Sequence, residues 1–434
     1  MTATNGGSNF RCLERTARVV AVLALTLLVA SCGGRPIGVM TPEAAAETVP
    51  GASKVNLLVA TTRAPAENPA VLFSGERGTG LAISAVTISI PPESHRTVGQ
   101  VQWPKKLPAD PRTSFTTVSV KPMLTAPQAQ EWMHGSLRKG HRVMVFVHGF
   151  NNRYEDAVYR FAQIVHDSKA DVAPVIFTWP SRASIFDYNY DKESTNFSRD
   201  SLEELLKSLA DDPSVEEITV MAHSMGTWLA MESLRQMAIR DKRVAAKIGN
   251  VILAAPDLDV DVFGRQLAEI GPQGPHFTIF TSQDDRALLV SRRISGNVDR
   301  LGQIDPGAEP YRSALERLGI TVIDLTKMKS GDSLNHGKFA ESPEVVQLIG
   351  TRLAAGQTVT DSDVGLGEAL GSVAIGAANT VGQAASVAVS TPIAVFDANT
   401  RRNYGGQWQR VTGSVGATVG SFGAPLELLT NENR

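Results

Sequence analysis

HRVMVFVHGFNN, residues 141–152, and EEITVMAHSMG, residues 216–226, repeat one pattern. Each is a short apolar run rich in β-branched residues that breaks into small and polar ones and is followed by helical periodicity. Such a run predicts a buried parallel strand feeding a tight turn into a helix. Ser224 stands in the second turn. At an elbow of this kind the serine Oγ is held at the carboxyl end of the sheet, and the next helix aims its free N–H groups at any oxyanion forming beside it. Small neighbours are required because the strand and helix backbones nearly touch. Here they are Ala222 and Gly226, giving A-x-S-x-G. The pentapeptide alone also fits an ordinary helix N-cap serine.

Strand and helix alternate around these runs. YEDAVYRFAQIVHD follows the first, with Ala157, Val158, Phe161, Ala162 and Val165 on one face. APVIFTWP, NVILAAPD, HFTIFTS and TVIDLT read as further strands. SRDSLEELLKSLADD capped by Ser198, MGTWLAMESLRQMAIRD, and SPEVVQLIGTRL with Ser342 as N-cap and Pro343 at the first helical position read as helices. This alternation requires right-handed crossovers and a mainly parallel α/β sheet covered on both faces. Ligands bind beyond the carboxyl ends of the strands in such sheets.

A hydrolytic serine needs a base, and the base needs a carboxylate to fix its tautomer. Among the eight histidines, His95, His134 and His141 precede the central strands, His166 lies far along a helix, and His276 enters a strand at its amino end. His148 and His223 flank the two turns and read as loop-orienting hydrogen bonders. His336 follows the last strand, in KMKSGDSLNHGKF, and is the expected base. Asp284 and Asp285 follow one strand and Asp257 the strand before it, so all three are candidate acids. The expected oxyanion donors are the backbone N–H groups of Met225 and of Phe150, in the HGFN turn.

From about residue 55 to 355 the chain resembles a bacterial α/β-hydrolase family of largely unassigned function, described as predicted esterases or lipases. ATTR, FSGERG, VHGFNN with AVYRFAQ, TWPSR, AHSMGTWL, LAAPDLDVDVF and DRALLVSRR carry the resemblance. It implies the α/β-hydrolase fold, whose serine, acid and histidine follow in this order along the chain. Within DRALLVSRR it points to Asp285 ahead of Asp284, with Asp257 as second choice. The implied activity is hydrolysis of carboxylic esters through an acyl-enzyme, without a cofactor. Acyl transfer or amide cleavage would use the same residues, and an envelope binding or scaffold protein with a vestigial site is the alternative of another class. Phe177, Trp179, Phe186, Tyr188, Tyr190 and Phe197 suit either a wall or lid over an acyl pocket or packing beneath a long loop.

Residues 1–31 read as a secretory signal. Arg11, Arg15 and Arg18 are followed by VVAVLALTLLVA, an apolar run of 12 positions broken only by Thr26 and too short for a comfortable span, which runs into VASC. VASC resembles the lipobox of bacterial lipoproteins, which would make Cys32 the lipid-modified first residue of the mature chain. Cys12 leaves with the signal, so neither a disulfide nor a free thiol is expected. Losing three arginines and one glutamate takes the formal charge from −2 to −4, so acyl chains rather than overall charge would do the anchoring. Gly33, where an aspartate would signal retention, favours the outer membrane, facing the periplasm. Residues 32–54, with Gly33, Gly34, Pro36, Pro42 and Pro50, read as a flexible tether. Residues 55–130 read as an N-terminal β extension on the edge of the sheet, in which Arg63 and Arg77 are taken as solvated. Residues 131–355 form the catalytic core.

Residues 356–434 read as a Gly/Ala-rich tail. Between Ala369 and Phe396 no charged residue occurs, and small residues recur at helical spacing. That fits a helix docking on a partner, a second copy or the bilayer, or a low-complexity tail. A chain of 434 residues, 42% hydrophobic and 20% charged, holds one large core plus appendages. The net charge leaves no basic footprint for nucleic acid. No phosphate-binding loop, dinucleotide fingerprint or metal-ligand spacing is present in the sequence; His141 and His148 are too far apart on a strand to share a metal. The expected partners are a small-molecule or lipid ester and the membrane.

Overall fold

The computed structural model describes residues 35–328 and 332–351. The signal segment, Cys32 and the tail from 356 onward lie outside them. Among the described residues nine strands form one sheet: β1 (Ser53–Pro65), β2 (Phe73–Ile90), β3 (Thr116–Lys121), β4 (Arg142–Val147), β5 (Ala173–Thr178), β6 (Glu217–His223), β7 (Ile248–Ala254), β8 (His276–Thr281) and β9 (Thr321–Asp324). Their order is β3-β2-β1-β5-β4-β6-β7-β8-β9. β2 runs antiparallel to β1 and β3, and every pairing from β1 through β5 to β9 is parallel. The expected edge extension is therefore a β1–β2–β3 meander joined to a parallel sheet through β1.

Side-chain alternation explains why both faces are covered. Val143, Val145 and Val147 of β4 enter one apolar layer, and Met144 and Phe146 enter the other. The first layer takes Met133 from α1 (Ala126–Ser136), Leu206 from α3 (Tyr188–Asp211), Leu229 from α4 (Gly226–Asp241) and Phe263 from α5 (Val260–Ile270). The second takes Phe161 from α2 (Tyr154–Ser168) and Ile349 from α9 (Pro343–Thr351). Burying each such side chain contributes about 1.5–3 kcal/mol, so a strand apolar on both faces is stable only when sandwiched between helices. The shorter helices α6 (Arg286–Ile294), α7 (Tyr311–Arg317) and α8 (Lys338–Glu341) sit in the connections around β8 and β9. Pro343 opens α9, as the sequence suggests, and Val346 N–H donates to Ser342 O.

Two local expectations are corrected. Residues 35–52, read as part of a flexible tether, are fastened to the domain. Val39 and Met40 are buried, and Val39 O accepts from Tyr159 Oη and Thr117 Oγ1, each at 2.9 Å. Arg35 pairs with Asp156 and lies 4.2 Å above the Trp103 ring. A few plugging side chains suffice here, and they leave no period to read. Ser198 is not an N-cap either: α3 begins ten residues earlier, and Ser198 Oγ donates to Ser194 O at 2.8 Å inside the helix. The first half of α3 buries Asp191, Ser194 and Thr195, a polar face that apolar periodicity cannot reveal.

Candidate active site

Ser224 follows β6, between β4 and β7 in the middle of the sheet, with φ at +53° and 5% of its surface exposed. A left-handed non-glycine residue costs about 1–3 kcal/mol unless its surroundings over-determine it. They do so here. Ser224 N–H donates to Ala254 O at 2.9 Å, while Ser224 O accepts from the N–H groups of Asp257 and Thr227 and from Thr227 Oγ1 at 3.2, 3.0 and 2.6 Å. Glycine is required on both sides of this turn. A Cβ on Gly149 would lie 2.8 Å from Ser224 Cβ, and one on Gly226 would lie 2.8 Å from Val147 O and closer still to His148 O. The turns after β4 and β6 thus interlock through their glycines.

His336 and Asp285 meet beside this elbow. His336 Nδ1 lies 2.6 Å from Asp285 Oδ2. The other carboxylate oxygen of Asp285 caps α6 by accepting Leu288 N–H at 2.9 Å. His336 N–H donates to the Asp332 carboxylate, and the His336 ring lies 4.7 Å from that of His223, the neighbour of Ser224. Burial alone would lower the His336 pKa, but the charge and hydrogen bond of Asp285 prevail, and it is raised above the ordinary 6.5. His223, buried beside His336, is held well below the usual range and stays neutral. Among the described residues no hydrogen bond joins Ser224 Oγ to His336.

The rival acids are otherwise engaged. Asp284 pairs with Lys338 Nζ at 2.7 Å and accepts from Ser282 Oγ at 2.6 Å. Asp257 accepts from Ser291 Oγ and, at 3.1 Å, from Tyr188 Oη, with buried Arg300 at 3.5 Å.

The turn holding Phe150 is fixed by residues the sequence did not single out for the purpose. Arg63, expected to be solvated, is 2% exposed and lies beneath the turn. It donates to Asn152 O at 2.8 Å and to Ser74 O and Ser181 O, each at 3.1 Å, with burial lowering its pKa to about 10. Asp191 accepts Asn151 N–H at 3.3 Å and Ser181 Oγ–H at 2.5 Å, and Ser181 Oγ accepts Asn152 N–H at 3.1 Å. His148 accepts Trp179 N–H on Nε2 at 3.1 Å, which places its proton on Nδ1, 2.8 Å from Gly149 O. Burial, with the Arg63 charge nearby, holds the His148 pKa down to about 3. The described bonds of this turn spend the N–H groups of Asn151 and Asn152, and among the described residues neither Phe150 N–H nor Met225 N–H is donated. Arg77 is also not free: its Nε donates to Ser194 Oγ at 3.1 Å. Only the positions of ATTR and TWPSR at strand ends hinted at this network.

The aromatic run does not form one wall. Phe177 and Trp179 are core residues, Tyr188 joins Asp257 and meets the Phe150 ring edge-on at 5.3 Å, Tyr190 lies under Arg182, Phe197 is partly exposed, and Phe186 is 92% exposed. A cavity of about 260 Å³, lined by Gly149, Asn152, Arg160, His223, His336 and Phe339 among others, opens on the His336 side. Among the described residues no group of three or more His, Cys, Asp or Glu side chains is placed to hold a metal.

Residues 125–352, just over half of the chain, match the model of the family described as "Alpha/beta hydrolase of unknown function (DUF900)". The chain belongs to this family. The family and the mainly parallel nine-stranded sheet support a hydrolase. The matched span runs from α1 through α9 and contains Ser224, Asp285 and His336, while Arg63 lies in the extension before it. No curated protein shows significant similarity to the chain.

Proposed function

We propose that this hydrolase cleaves carboxylic esters through an acyl-enzyme, with Ser224 as nucleophile, His336 as general base and Asp285 as the carboxylate that orients it. The observation that carries the reading is the His336–Asp285 hydrogen bond, formed beside a serine held at positive φ while both rival acids are bound elsewhere. Ser224 Oγ attacks the ester carbonyl carbon as His336 Nε2 takes its proton. The oxyanion is received by Phe150 N–H and Met225 N–H, each such donor contributing on the order of 3 kcal/mol. Collapse expels the alcohol, protonated by His336, and water then attacks the acyl-serine by the same route, releasing the acid and restoring Ser224. A lipid anchor at Cys32, which lies outside the described residues, belongs to the same reading.

The test is a fluorophosphonate probe applied to the purified chain. Labelling that maps to Ser224, disappears in Ser224→Ala and is competed by short-chain esters supports the reading. An unlabelled, folded protein without ester turnover would identify a binding or scaffold protein instead.

A further inference from the structure

The outer face of α6 stands out from the rest of the surface. Its buried side, Leu288 and Ser291, packs over the Asp257–Tyr188 contact. Its exposed stripe is Arg286, Leu289, Val290, Arg293 and Ile294, with Val290 and Ile294 each more than half exposed. RALLVSRRI contains no acidic residue. The helix is tied to the reacting end of the molecule, because its N-cap is Asp285 and its first N–H donates to Leu334 O in the His336 loop. Leu334 is itself half exposed, and Phe186 projects just before Tyr188, whose Oη lies 3.0 Å from Ser291 Oγ under α6.

The start of the described chain lies at the same end of the sheet. Arg35 pairs with Asp156 in the first turn of α2, directly after the HGFNN turn. Cys32 is three residues before Arg35, a reach of about 10 Å even when fully extended.

From these observations we propose that the exposed face of α6 docks on the surface of an anionic phospholipid bilayer, so that the mouth of the serine site faces lipid and its substrates are esters presented at that surface. A basic amphipathic helix lies in the interfacial plane with its apolar face among the acyl chains. Surface charges act over roughly 8 Å at physiological salt, so Arg293 and Arg286, the latter also donating to Ser333 O at 3.3 Å, are the cations that meet the lipid phosphates, whereas Arg292 is paired with Asp299 at 3.1 Å. The proposal rests on the ester-hydrolase reading for its substrate and on the Cys32 anchor for the nearness of the bilayer, while the contact itself stands on the exposed face of α6.

The experiment uses the full acylated chain on phosphatidylglycerol-containing vesicles, with a fluorophore at Val290→Cys and, as control, at Glu216→Cys beside the amino end of β6. Brominated lipid is expected to quench the first and not the second. The double variant Val290→Asp/Ile294→Asp is expected to lose about tenfold or more of its activity on a vesicle-borne ester while staying within about twofold on a soluble short-chain ester. Absence of quenching at 290, equal quenching at both positions, or full vesicle activity in the double variant would overturn the proposal. So would a dimer by light scattering that the double variant dissolves, or probe exposure at 290 that appears only on deletion of 356–434, which would name a second copy or the tail as the occupant. If the wild type turns over neither ester, the hydrolase reading fails while quenching still decides the docking.

Discussion

Asp285 Oδ2 and His336 Nδ1 stand 2.6 Å apart, joining the loops after β8 and β9. The carboxylate raises the histidine pKa against the opposing effect of burial. A general base works only when neutral, so the acid limb of kcat/KM is expected above the ordinary 6.5 and not below it. Asp285→Asn removes the opposing charge, lets burial prevail, moves the limb to lower pH and lowers kcat/KM by about 10⁴. A pH–rate profile checks both. The same shift gives a stability contribution fully present below pH 6.5 and lost as pH rises through the raised value.

Replacing the proposed nucleophile or base should cost activity and not structure. Ser224→Ala or His336→Ala is expected to lower ester turnover by about 10³ or more. Near-wild-type rates in either folded variant would remove that residue from the mechanism.

Asp257 gives the opposite pattern. Asp257→Asn leaves Arg300 buried without its counter-ion, so the expected effect is a loss of about 3 kcal/mol in urea unfolding with most of kcat retained. Should turnover collapse as it does in Asp285→Asn, the orienting acid would be Asp257.

Asp191 holds the Phe150 turn through Asn151 N–H and Ser181. Asp191→Asn keeps the shape but exchanges a charged acceptor for a neutral one. A fall in kcat of about tenfold or more with KM little changed is expected, because an oxyanion donor acts in the transition state. A rise in KM alone would argue against this role.

The fold was legible because strands such as VMVFV are apolar on both faces, and only a doubly covered parallel sheet accommodates that. The same pattern put Ser224, Asp285 and His336 beyond the ends of β6, β8 and β9, while the choice of Asp285 over Asp284 came from the family resemblance. Arg63 was not legible, since an arginine in sequence carries no sign that carbonyl oxygens from three separate segments, two of them far along the chain, will surround it. The polar half of α3 and the docking of Val39 were hidden for a related reason. Each is stabilised by partners remote in the chain rather than by periodicity of its own.

The interlock of Gly149 and Gly226 also determines when the site comes into existence. β4 and β6 are neighbours in the sheet, yet all of α2, β5 and α3 lies between them in the chain. The unfavourable φ of Ser224 is held only once that long loop has closed and the backbones of both turns have met. While the chain is still folding, Ser224 is therefore not yet set in its left-handed turn, and the elbow takes shape only as the last of these contacts close.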